Sequence, residues 1–349
     1  MEKGKVHNHK CELCKRSVAD KTNSHIIPSF IICRTSSSDG SSKRNHELVY
    51  SIGKTVQVYT GNEVPMEVIN RNFDDLSDER IEKELTKNTL SKDYVFCSSC
   101  EKALGDWLES PYAASKKTDA QTAYFFWLSI LWRVNHFGTL SSKIPKFILA
   151  ELRKSLDSYL QARKEGSDIT KVQQKYPFNY RILACKDYSI DGDGCIYAEY
   201  DKTNRIYSIT LGDTIICYNL KGEAIPDNYC FLGIENELRQ APSNDGLKAE
   251  EARTVTKGVF DKTYSELLSK ASSLYLNNEV LLIHRLWDKL IKQHYVMPSH
   301  IPSDFFIHRC LEIIHDDKKK IGERYTIHNY AISFGAALSE IYGIDVSSE

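Results

Sequence analysis

The chain has 349 residues with 46 Lys+Arg against 47 Asp+Glu, a net charge of −1 that excludes a global field for collecting nucleic acid. A hydrophobic content of 41% with 27% charged residues marks a globular chain long enough for two or three cored domains. Ten cysteines are too sparse for a disulfide scaffold, and the longest apolar run, Ala123 to Trp132, is broken by Ser129 and falls short of the roughly 20 residues of a membrane span.

The opening Met1-Glu2-Lys3-Gly4 is polar with no apolar core after it, so neither an export signal nor a membrane partner is expected, and a reducing cytoplasm is the expected compartment. Charge is uneven along the chain. Residues 1–60 carry ten Lys/Arg against five Asp/Glu, whereas residues 61–92 carry five against eight. The basic stretch holds the first cysteine pair and suits a phosphate-facing surface, although a solvated basic face reads the same way.

Cys11-Glu12-Leu13-Cys14 and Cys97-Ser98-Ser99-Cys100 are two Cys-x-x-Cys knuckles separated by 82 residues. A thioredoxin-like redox reading needs a strand before the motif and a helix starting at it. Here a Lys-rich lead-in precedes Cys11, and turn-like Asp20-Lys21-Thr22-Asn23 follows. A closed tetrathiolate zinc site, Cys11, Cys14, Cys97 and Cys100, explains the pair better. The other six, Cys33, Cys185, Cys195, Cys217, Cys230 and Cys310, sit among apolar neighbours and read as buried thiols.

Between the knuckles, Ser24 to Ile32 is β-prone, residues 48–60 alternate as a hairpin, and residues 74–92 have the composition of an exposed helix. Tyr94-Val95-Phe96 is expected to enter the second knuckle as a strand. A helix over Glu101 to Leu108 should follow, presenting Leu104, Trp107 and Leu108 on one side and ending at Pro111. An apolar helix over 119–137 must be buried, and an amphipathic helix follows Pro145 up to Arg163. From Phe178 to Leu232 four short strands with turn signals predict a small antiparallel sheet; residues 233–257 read as a polar linker, and helices are expected over 259–295, 303–321 and 328–342. The fold class is α+β. The expected divisions are 1–112, a zinc-stapled ββα-metal lobe with an insertion; 113–165, helical; 166–258, the β region and linker; and 259–349, helical.

Phosphodiester hydrolysis in such a lobe needs a neutral His to take a proton from water and a divalent cation at the phosphate. His25 suits the first task. Glu101, directly after the last knuckle cysteine, suits a cation ligand, with Asp106 and Glu109 as secondary candidates sharing a helix face at i, i+3. The competing readings are a structural imidazole under the zinc site for His25, and a carboxylate favourable to the helix dipole for Glu101.

The runs Ser24-His25-Ile26-Ile27-Pro28-Ser29-Phe30, Phe96-Cys97-Ser98-Ser99-Cys100-Glu101 and Leu128-Ser129-Ile130-Leu131-Trp132-Arg133 resemble, in this order, an uncharacterised bacterial group of HNH-like proteins. That group lies within the zinc-stapled HNH (His-Me finger) endonuclease superfamily, and the resemblance covers about residues 11–160. It implies His25 as general base and Glu101 as ligand of a catalytic Mg²⁺ or Mn²⁺, with structural Zn²⁺ on the four cysteines. The family's Asp before the His is Ser24 here, and its Asn or His after the last cysteine is Glu101. The implied function is a metal-dependent DNA endonuclease, in a setting such as bacterial anti-phage defence. A degenerate HNH fold kept to bind nucleic acid or protein is one rival; an effector or accessory subunit governed by a partner, a second copy or a small ligand is the other.

Overall fold

The computed structural model describes residues 9–32, 48–52, 56–60, 91–114, 118–137, 143–169, 172, 177–186, 188, 196–222, 224–293, 298–321, 325 and 327–345. The fold is α+β, as expected. Of the helix expected over 74–92, residues 74–90 lie outside the described residues, as do the thiols Cys33 and Cys195.

The first strand, β1, is only Ser24–His25, followed by the short helix α1, Ser29–Ile32. The expected hairpin forms from β2, Leu48–Ile52, and β3, Val56–Thr60, paired antiparallel. Strand β4 is Ser91–Lys92, and it pairs antiparallel with β1 through Ser24↔Lys92 and His25↔Ser91. The strand expected at Tyr94–Phe96 is therefore displaced, and the end of the expected 74–92 helix is strand. The cause is local hydrogen bonding. Val95 O accepts the amide of Glu12, and Phe96 O accepts those of Asp20 and Lys21, so these carbonyls serve the first knuckle's segment and not a ladder. Tyr94 turns the chain with φ +56°.

Helix α2, Ser98–Leu104, passes through a π-helical turn, Gly105–Glu109, into α3, Ser110–Ala114. Pro111 thus lies inside the helical run and does not end it. A proline clashes with the carbonyl four residues back; the wide turn just ahead of it, closed by the Ser110 amide on Gly105 O, makes the room. Helix α4, Ala120–Phe137, is buried from Thr122 to Asn135, its first turn capped by Asp119 on the Thr122 amide at 2.9 Å. Helix α5, Lys146–Glu165, packs beside it.

Strands β5, Asn179–Ala184, β6, Ile196–Asp201, β7, Ile206–Leu211, and β8, Thr214–Asn219, are the four expected. Gly212, at φ +64°, allows the tight β7–β8 connection, a conformation costly for residues with a Cβ. The expected linker is structured: it carries α6, Glu235–Gln240, and β9, Arg253–Thr254. Strand β9 adds in parallel to β5, making a mixed five-stranded sheet in the order β6-β7-β8-β5-β9. Polarity misled the linker reading because its charges are partnered, Arg253 by Glu237 at 2.8 Å and Glu250 by three donors described below.

Strand alternation buries both faces of the sheet. Tyr180, Ile182, Ile216 and Tyr218 join one core with α4, α5 and the knuckle residues Cys11, Leu13, Phe96 and Cys97. Leu183, Ile215 and Cys217 join a second core with Leu238, Phe260 and Tyr264. Helix α7, Lys257–Lys292, leaves that core and supplies Ile283 and Trp287 to a third, shared with α8, Asp304–Ile321, and α9, Ile327–Tyr342. Cys185, Cys217 and Cys310 are buried as expected, but Cys230, in the irregular segment before α6, is exposed. Among the described residues no helix is long and apolar enough to cross a membrane.

Candidate metal centre

Cys11 and Cys14 sit on a tight turn. The Cys11 amide bonds Ser17 O at 2.8 Å, the Lys15 amide bonds Cys11 O at 2.9 Å, and Lys15 takes φ +56° to close the loop. Cys97 is the residue preceding α2 and Cys100 lies in its first turn. The four sulfurs lie within 4.8 Å of one another, with Cys14 and Cys97 Sγ 4.0 Å apart. Tetrahedral thiolate coordination at about 2.3 Å places sulfurs about 3.8 Å apart. The four cysteines are thus placed to hold a metal ion. Among the described residues, no other set of three or more His, Cys, Asp or Glu side chains comes together in this way.

The electrostatics suit a thiolate centre. The hydrogen bond from Cys100 brings Cys11 down to about 5, and the same bond drives the Cys100 thiol far up; burial raises Cys97. Four thiols this close cannot all lose protons unless a cation replaces them. The surrounding helices grip the first knuckle. Arg16 forms a two-pronged ion pair with Asp157 of α5 at 2.8 Å, Arg153 donates to Leu13 O at 2.7 Å, and His136 of α4 meets Glu12 at 3.0 Å.

The same framework fixes a second group of residues. Ser24, 1% exposed, lies beside Glu101. Burial pushes the half-buried Glu101 carboxyl up, while Ser24, Arg133 and Lys21 hold it down and Glu109 adds repulsion. Ser24 is the β1 side chain that lowers the Glu101 carboxyl. His25 is half-buried on the same strand, its carbonyl taken by Arg133 Nη1 at 2.9 Å. Arg133 Nη1 also donates to Glu109 Oε1 at 2.7 Å, and Nη2 donates to Ser129 Oγ at 3.1 Å.

The expected shared face for Asp106 and Glu109 does not exist. Asp106 points to solvent with Lys102 at 2.6 Å, while Glu109 turns inward to Arg133. The π turn is the reason. Eight residues of regular α-helix overshoot two turns by about 80°; the wide turn absorbs the excess and returns Glu109 toward the face carrying Glu101. Arg133 had no assigned role in the sequence. Its signal was a lone cation in the run Phe125 to Val134, because a buried charge demands a partner.

Glu250, from the supposed linker, accepts Tyr112 Oη, Trp127 Nε1 and Tyr180 Oη, each at 2.8 Å. It binds α3, which continues from the Glu101 helix, to α4 and the sheet. No protein-family model, no curated protein and no solved structure matches the chain.

Proposed function

We propose that the chain is a metal-dependent DNA endonuclease whose N-terminal region is stapled by structural Zn²⁺. The observation that carries the reading is the placement of β1 and α2. A four-thiol cluster and the hydrogen bond from the Ser98 amide to Asp20 fix the helix start, and Ser24 of the Ser24-His25 strand lies beside Glu101. Zinc suits four soft thiolates in a closed site better than any hard cation does.

His25 takes the proton from the attacking water. Glu101 and the Ser24 Oγ beside it offer oxygen donors of the type that suits Mg²⁺ or Mn²⁺. When bound, that cation would supply charge neutralisation at the phosphate and leaving oxygen. Burial disfavours the Glu101 carboxylate until a cation compensates it, so the residue is set to respond to cation binding.

The test is incubation of purified protein with supercoiled plasmid and Mg²⁺ or Mn²⁺, beside His25→Ala and Glu101→Gln variants of unchanged zinc content. Nicking that depends on the added metal and is lost in both variants supports the reading. Cleavage equal in all three proteins, or in none, sinks it; elemental analysis without zinc removes the staple.

A further inference from the structure

We infer that Arg133 is a positioning residue that holds His25 in register with Glu101, an inference that rests on the endonuclease reading. Its side chain is 2% exposed, so it cannot reach a substrate. Of its four acceptors, two lie outside its own helix, and they belong to the two elements whose spacing sets the site. One guanidinium nitrogen donates to the His25 carbonyl on β1 and to Glu109 at the end of the π turn. The other nitrogens are held from behind by Ser129 Oγ and Ser129 O, fixing the fork on its own helix.

The need for such a clamp follows from β1 itself. Two residues paired to two others make a ladder too short to fix a register. Neither cysteine knuckle contains β1, so the cluster anchors the helix but not the histidine. Arg133 closes that gap: it ties the histidine's backbone to the continuation of the helix whose start the knuckle fixes. The π turn belongs to the same device, because it turns Glu109 inward to meet the guanidinium. Lysine would substitute only in part, since its ammonium could meet both acceptors but lacks the further nitrogens by which Ser129 holds the guanidinium in place.

The test compares full-length wild type with Arg133→Gln, Arg133→Lys and Glu109→Gln. Arg163→Gln is the control, because it removes an Arg contact to Thr122 at the other end of α4. Plasmid nicking is resolved into kcat and KM, zinc content is measured, and amide exchange is followed at residues 24–26. Misplacing a reacting group by about 1 Å costs on the order of 100-fold. Arg133→Gln and Glu109→Gln should therefore lower kcat by at least about tenfold with KM within about twofold, Arg133→Lys should rescue only partly, and the control should match wild type. Amide exchange at 24–26 should quicken in Arg133→Gln while that at 98–101 holds.

Unchanged kcat in a zinc-loaded Arg133 variant, or a loss confined to KM, overturns the inference. If Arg133→Gln fails to fold, Arg133→Lys and Glu109→Gln decide by the same split. If wild type does not cleave at all, the endonuclease reading falls; the exchange result then supports the clamp if residues 24–26 loosen and overturns it if they do not.

Discussion

Ser98 donates both its backbone amide, at 2.6 Å, and its hydroxyl, at 2.8 Å, to the carboxylate of Asp20. The helix that carries Cys100 and Glu101 therefore begins on a side chain from the segment following the first knuckle. Hydrogen bonds from Ser98 hold the Asp20 carboxyl below its usual range. This bond pair joins the two halves of the four-thiol cluster independently of any ion. Asp20→Ala should lower the thermal midpoint and speed loss of bound metal to a chelator, with Ser98→Ala showing a smaller effect. Identical chelation rates in all three proteins would count against it. By linkage the Asp20 contribution is present above the carboxyl's unfolded pKa and lost as pH falls through its lowered folded value.

The two carboxylates of the π turn should separate cleanly on mutation. Asp106 makes one solvent-exposed pair with Lys102, and such pairs contribute about 0–1 kcal/mol. Asp106→Asn is expected to leave stability within about 0.5 kcal/mol of wild type and cleavage unaltered. Glu109→Gln should destabilise measurably, because it leaves the Arg133 guanidinium buried without its carboxylate. Urea unfolding of the two variants side by side decides the matter; an equal effect would contradict the inward turn of Glu109.

Glu250 gives a pH dependence of opposite sign to Asp20. Burial raises its carboxyl above the ordinary value, against the pull of hydrogen bonds from Tyr112, Tyr180 and Trp127. A raised folded pKa means the folded state binds the proton more tightly than the unfolded chain. The contribution is thus complete below about pH 4.3, the ordinary Glu value, and is lost as pH rises through the folded value. Glu250→Gln should flatten stability over that window, measured as denaturation midpoints against pH. A slope identical to wild type would exclude Glu250 as its source.

Cysteine labelling should follow burial. Cys230 is exposed, whereas burial pushes Cys217 up to about 11 and Cys310 up to about 12. Brief maleimide treatment of the folded protein with peptide mapping should mark Cys230 and spare Cys217 and Cys310 until denaturant is added. Protection of Cys230 would show that its segment is covered.

What was legible in the sequence was whatever repeats at a period or a fixed spacing. The knuckles at 11/14 and 97/100, the buried stripe of α4 and the strands β5 to β8 all announce themselves in this way. Strand β4 did not, because two residues carry no periodicity and its partner lies 66 or more positions away. The π turn was illegible for a related reason: one extra residue in a turn leaves every residue type unchanged, yet it moves Glu109 off the face of Asp106. Residues 233–257 misled by composition alone. Glu250 reads as solvated until Tyr112, Trp127 and Tyr180 close on it, from 138, 123 and 70 positions away.

Helix α7 has 36 residues, about 54 Å at the usual rise, and it belongs to the sheet's core at one end and to the C-terminal core at the other. Its hydrogen-bonded backbone runs unbroken between them, so the two cores are coupled in series by a rod. A tilt of about 5° where α8 and α9 grip it would carry the far end through about 5 Å, by the same rise per residue. A movement of the last helices would therefore reach the sheet with a long moment arm, and the sheet backs directly onto the helix that holds Arg133.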